Sequence, residues 1–193
     1  MVKVLKQGSV AGASVVLVGV LAACSPGAES DAPPSKPEAQ GDSVKIETPK
    51  NASAPELCDL LPAEAATSLG MGPDGEIDDS PSLSDDKPEA CLWNSEGGGK
   101  SVSLGPIEDR SIKEYYDTKS QFADYEELTV AGYPTVRANQ GDPSQDGFCA
   151  MFLATDDRQL LYAHSHDVDK SSSCGNAQKA LEASVPTLPA AAG

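Results

Sequence analysis

The stretch HSHDVD places two imidazoles two residues apart, His164 and His166, with carboxylates following at Asp167 and Asp169. Imidazole nitrogen and carboxylate oxygen are the donors that zinc and related metals take. On a strand, residues two apart share a face, so both rings point the same way. A structural or catalytic site also needs a third protein ligand, and none stands at a fitting spacing, which leaves His164 and His166 as weak metal candidates. Carried on to Gln178, the segment aligns with a calcium loop at Asp167, Asp169 and Ser171. It fails at the sixth position, where Ser172 replaces glycine, and at the twelfth, where Gln178 replaces glutamate. The acidic pairs Asp78-Asp79 and Asp85-Asp86 are a looser possibility for Ca²⁺ and read more simply as solvated loop. GGGKS, Gly97 to Ser101, looks like the tail of a phosphate loop, but Asn94 stands where the first glycine belongs. Its flanks read strand–turn–strand, so it is a hairpin turn. G-x-S-x-G, H-E-x-x-H and G-x-G-x-x-G are all absent. With no site visible, the expectation is a protein without a cofactor that is not an enzyme.

The cysteines carry chemistry of another kind. Five are present, and Cys24 stands apart from Cys58, Cys91, Cys149 and Cys174. Lys3 and Lys6 precede an uncharged apolar run, Val10 to Ala23, which reads as a secretory signal peptide over residues 1–23. Leu21-Ala22-Ala23-Cys24 matches the bacterial lipobox, in which the cysteine sulfur receives a diacylglyceryl group. Two or more acyl chains make a stable anchor, so Cys24 is the expected lipidation site on the extracytoplasmic side of the cell membrane. The other four make an even set in an exported chain and read as two disulfides, with three possible connectivities. No C-x-x-C occurs to suggest a redox site or a zinc ribbon.

These residues need elements to hold them. From Cys24 to about residue 54 the chain is rich in Pro, Ala, Ser and acid and lacks aromatics, so it is predicted to be a disordered tether. Residues 55–189 make one domain, with a flexible tail over 190–193. LCDLLPAEAATSLG opens it as a helical turn and helix that Gly70 stops. An acidic Pro/Gly/Ser-rich loop with one weak strand follows, then strands over 90–95 and 100–107. A helix from Ser111 carries Ile112, Tyr115, Tyr116, Lys119, Phe122 and Ala123 on one stripe, with Ser111 and Glu114 as a capping box. Two hairpins follow, turning at Ala131-Gly132 and Asp156-Asp157, and a last helix runs over about 174–185. This order predicts an α+β fold, an antiparallel β-sheet covered by helices. The second turn would set Cys149 nearly opposite His164, with Cys149, Met151 and Tyr162 on the histidine face. The chain leaves that end of the hairpin and reaches Cys174 within ten residues. Cys149–Cys174 is therefore the easy bridge, leaving Cys58–Cys91.

The Cys-Asp-Leu-Leu start (Cys58 to Leu61), the Cys-x-Trp strand (Cys91, Trp93), VAGYPTV, GFCAMFL and a closing helix beginning SSSCGNAQKAL resemble one family. It is the actinobacterial lipoprotein family catalogued as domain of unknown function 3558. The resemblance covers Pro55 to Pro189 and the lipobox. It implies an envelope lipoprotein with a PsbP-like α+β fold, and it implies no activity.

Charge limits the partners. Beyond Cys24 there are twelve basic and thirty acidic residues, a net of −18 against −16 for the whole chain. Such a surface repels nucleic acid and anionic lipid. Two readings remain. One is a non-catalytic interaction module serving an envelope membrane protein. The other is a carrier for a small apolar ligand or lipid, with Tyr115, Tyr116 and Phe122 as its candidate face.

Overall fold

A computed structural model describes residues 44–79 and 88–192. The signal segment, Cys24, the chain up to residue 43, Asp85-Asp86 and Gly193 lie outside the described residues.

Among those described, a 3₁₀ turn (Leu57–Asp59) leads into α1 (Ala63–Ser68), and Gly70 follows in the left-handed region at φ 79°. The strands are β1 (Glu76–Ile77), β2 (Cys91–Asn94), β3 (Lys100–Glu108), β4 (Asp124–Val130), β5 (Tyr133–Asn139), β6 (Phe148–Asp156) and β7 (Gln159–Asp167). Between them lie α2 (Ile112–Asp117) and a short α3 (Pro143–Asp146), and α4 (Ser173–Ser184) closes the fold. All neighbouring strands are antiparallel, in one sheet of order β1-β2-β3-β7-β6-β5-β4. The architecture is α+β, as the alternation of elements predicts.

Alternation along the strands divides the sheet into two faces. One carries Cys91 and Trp93, Val102 and Leu104, Leu161 and Ala163, and Cys149, Met151 and Leu153, all buried. Helix α4 packs along β6, β7 and β3 on this side. Its inward residues are Ser173, Asn176, Ala177, Ala180, Leu181 and Ser184, at helical spacing and mostly small, which lets its backbone lie close to the sheet. The disulfides Cys58–Cys91 and Cys149–Cys174 tie the first helical turn to β2 and the start of α4 to β6. These are the pairs the hairpin argument selects.

Three expectations are corrected. First, the tether does not extend to residue 54, because the chain from Val44 onward packs on the domain. Ile46 and Ala52 are buried, Lys50 N donates to Thr155 O (2.8 Å), and Ala52 N donates to Gln159 Oε1 (2.7 Å). Tyr133 Oη donates to Thr48 O at 2.7 Å. The expected tail joins the same contact: Lys50 bridges Ala190, and Ala191 N donates to Pro49 O (3.0 Å). Local composition missed this because the partners of these residues are 85 or more positions away along the chain.

Second, the α2 stripe is cut short. The capping box forms, with Ser111 N donating to Glu114 Oε1 (3.1 Å) and Lys113 N to Ser111 Oγ (3.3 Å). The α-helix nevertheless ends at Asp117, and Phe122 lies in the extended link to β4. Arg137 of β5 grips Asp124 with two hydrogen bonds (2.7 and 2.8 Å) and Asn139 adds a third (2.8 Å). Strand pairing thus claims residues whose local pattern suits a helix.

Third, the last hairpin turns at Asp157-Arg158 rather than Asp156-Asp157, since Asp156 pairs with Gln159. A bulge between Ala154 and Asp156 then sets Cys149 opposite Ser165, one position from the expected register. A slip of one residue exchanges the faces. The other predicted turn, Ala131-Gly132, stands where expected, with both residues at positive φ (50° and 88°), as a two-residue hairpin requires.

Where β3 passes the start of β2, the backbone of Glu89 crosses Gly105 so closely that a Cβ there would lie 2.1 Å from Glu89 O. Gly105→Ala is expected to lower stability by about 1–3 kcal/mol, the usual cost of overpacking. A urea melt of the variant against the parent checks it.

Candidate functional site

The residues with chemical potential gather on the second face of the sheet. Because Cys149 faces Ser165, the histidines share their face with Phe148, Ala150, Phe152 and Tyr162, not with Cys149 and Met151. Phe148 lies opposite His166, and its ring is 4.5 Å from His166 and 5.7 Å from His164. Phe148 is 47 % exposed, so this cluster faces solvent at its outer side.

Farther along the same face runs a row of rings. Tyr125 is 6.2 Å from Phe122, Phe122 is 6.0 Å from Tyr115, Tyr115 is 4.4 Å from Phe152, and Phe152 is 6.1 Å from Tyr162. Helix α2 places Tyr115 and Ile112 inward, and the extended link returns Phe122 beside them. Of the three residues expected to form a ligand face, Tyr115 and Phe122 are brought together, by two elements rather than one helix, while Tyr116 is half-buried near the Glu127 carboxylate. Tyr115 is buried, and its stacking on Phe152 fills the space beneath α2. What remains at the surface is a shallow dent of about 180 Å³ lined by Arg110, Glu114, Tyr115, Thr118 and Phe122. Burial raises the Tyr115 phenol above its ordinary value, against a hydrogen bond from Arg110. Burial also raises Tyr116, helped by the nearby Glu127 carboxylate.

Asp167, grouped with the histidines in sequence, points the opposite way. It is fully buried on the α4 side, where Oδ2 accepts from Asn176 Nδ2 (2.9 Å) and Oδ1 from Asp169 N (2.8 Å). Lys100 Nζ stands 3.5 Å from it. Asp169 is exposed and holds Ser171 and Ser172 by side-chain hydrogen bonds (2.8 and 3.0 Å). The HSHDVD donors are thus divided between two sides of the sheet. Among the described residues no three His, Cys, Asp or Glu side chains converge as a metal set. Asp167 instead ties the end of β7 to α4, a structural role its neighbours in sequence do not reveal.

His164 is half-buried, and that burial lowers its pKa below the ordinary histidine value. His166 lowers it further, while Asp78 and Asp146 act to raise it. On the other side of the fold, burial alone would raise Asp124, but the hydrogen bonds from Arg137 and Asn139 bring it below the usual carboxylate range.

Fold and site together define a disulfide-braced α+β domain with one sheet face closed by α4 and the other lined with aromatic rings. The chain belongs to the family described as Protein of unknown function (DUF3558), whose model matches residues 19–187. No curated protein matches the chain. No helix among the described residues is long and apolar enough to cross a membrane.

Two outcomes follow. Asp167→Ala leaves the buried Asn176 amide without its acceptor and is expected to cost about 1–3 kcal/mol in chemical denaturation. His164, with its folded pKa below the unfolded value near 6.5, favours folding with the ring neutral. Its contribution is complete above the unfolded value and is lost as pH falls through the lower folded one. Denaturation midpoints measured between about pH 7.5 and pH 5 should fall less steeply in His164→Gln than in the parent.

Proposed function

We propose that this protein is a non-catalytic interaction module of the cell envelope, an actinobacterial lipoprotein held on the outer side of the cell membrane through lipid on Cys24. The observation that carries this reading is the sheet face around Phe148, His164 and His166. It is partly exposed and aromatic, and it is built on strands rather than on a loop. Aromatic surface is what protein partners use as anchor area. The lipobox and the acidic Pro-rich stretch after it support placing that surface a few nanometres from the bilayer, within reach of a membrane-embedded partner. A PsbP-like fold is consistent with the single antiparallel sheet and the helices packed on it.

The carrier reading draws less support, because Tyr115 on Phe152 occupies the space beneath α2 where an apolar ligand would need a cavity. Removal of Cys24 (Cys24→Ala) is expected to release the protein from membranes. A photo-crosslinker at position 148, in the full chain in native membranes, should give a specific adduct with a membrane protein. A His166→Asp change beside it should reduce that adduct several-fold. Labelling of abundant bystanders alone, or a small molecule that repeatedly leaves the native protein on denaturation, would overturn the module in favour of the carrier.

A further inference from the structure

The two edges of the sheet are unlike each other. At one end β1 is two residues long, which leaves little backbone to pair with anything. At the other end β4 presents seven residues, Asp124–Val130, with continuous register to β5 and no bulge or proline. Val130 and Tyr133 flank the two-residue turn and so form a hydrogen-bonded pair. The alternation of an antiparallel ladder then gives Leu128 and Glu126 to β5 and turns the N–H and C=O groups of Tyr125, Glu127 and Thr129 outward. The strand is held firmly in this posture. Arg137 Nη1 is 2.7 Å from Glu126 Oε2, in addition to its two bonds to Asp124, so its guanidinium clamps β4 to β5 across the pair.

We propose that this β4 edge is a docking site for an extended, basic segment of a partner protein, which adds to the sheet as an eighth strand. Main-chain bonds to Tyr125, Glu127 and Thr129 supply the register, as in other strand-addition complexes. Side-chain charge supplies the selection. Glu126 and Glu127 are exposed along the edge, Tyr125 Oη holds Glu127 Oε1 at 3.2 Å, and Leu128 and Tyr125 offer partly buried apolar ground on either face. A strand with Lys or Arg beside the glutamates and apolar residues between them matches this pattern.

The same charges disfavour a second copy of this chain. The antiparallel register that pairs all seven residues sets Glu127 against Glu127, and a shift of two toward the N-terminal end of β4 sets Glu126 against Glu126. Like charges opposite one another weaken a ladder, and each copy carries a net charge of −16. The proposal concerns a different surface from the Phe148 face and stands or falls separately from it.

The test uses the full chain in detergent micelles and a capped peptide of alternating lysine and valine, with an alternating glutamate–valine peptide as control. Amide exchange at Tyr125, Glu127 and Thr129 should slow by roughly tenfold or more on addition of the basic peptide, while Glu126 and Leu128, already bonded to β5, change little. The effect should weaken with added salt. Glu127→Pro removes an outward donor without taking a bond from the β5 ladder, and it should abolish the slowing. The double change Glu126→Lys with Glu127→Lys keeps every backbone group and should transfer the response to the acidic peptide. Unchanged exchange at millimolar basic peptide, or slowing that survives Glu127→Pro in folded protein, would overturn the proposal. So would protection already present without peptide in a dimeric protein, which would make a second copy the occupant.

Discussion

Pairing of β7 with β3 on one side and β6 on the other is the constraint on which the rest of this molecule depends. Nine residues of β3 register with β7 without interruption, and β6 follows with a single bulge near the turn. Once that register is set, alternation leaves no freedom over which side chains are buried beneath α4 and which line the aromatic face. The bulge itself is used. It leaves Thr155 outside the β6–β7 pairing, and Thr155 O accepts Lys50 N, which brings the N-terminal segment onto the domain. The segment is then secured at Gln159, Leu188 and Pro189.

Both disulfides act within this frame rather than creating it. One joins the first helical turn and the other the start of α4 to a buried strand of the α4-covered face, across 33 and 25 residues of sequence. Closing loops of that length restrains the unfolded chain by about 3–4 kcal/mol each in the chain-entropy picture. That matters in a domain with nine aromatic residues, several of them on the half-open face rather than in the main core. Asp167 performs a comparable task without a covalent bond, since its buried carboxylate joins β7, the turn after it and α4. A buried carboxylate is tolerable there because each oxygen has a donor and Lys100 lies close by.

The division of chemistry between the two faces explains why the most suggestive motif misleads when read along the chain. In HSHDVD the histidines and Asp167 are adjacent, yet a strand sends neighbours to opposite sides, so the donors part. The face has the opposite history. Tyr115, Phe122, Tyr125, Phe152 and Tyr162 are scattered over three strands, a helix and a link, and they meet only because the sheet brings their elements together.

The sequence by itself determined the α+β class, most strands, the Ala131-Gly132 turn and the capping of α2, and it pointed to the cysteine pairs that form. Each of these rests on short-range signals, namely alternation, turn chemistry, a cap, or a spacing that limits where the chain can reach. Only the tertiary structure decided the side of the sheet taken by the histidines, the end of α2 at Asp117, and the packing of residues 44–54. Each of those turns on a competition between a local preference and a distant partner: a one-residue bulge, the Arg137–Asp124 grip, and the Thr155, Gln159 and Pro189 contacts. The local preference at these positions is weaker than the long-range bonds or the one-residue shift that oppose it, so the tertiary contacts settle the outcome.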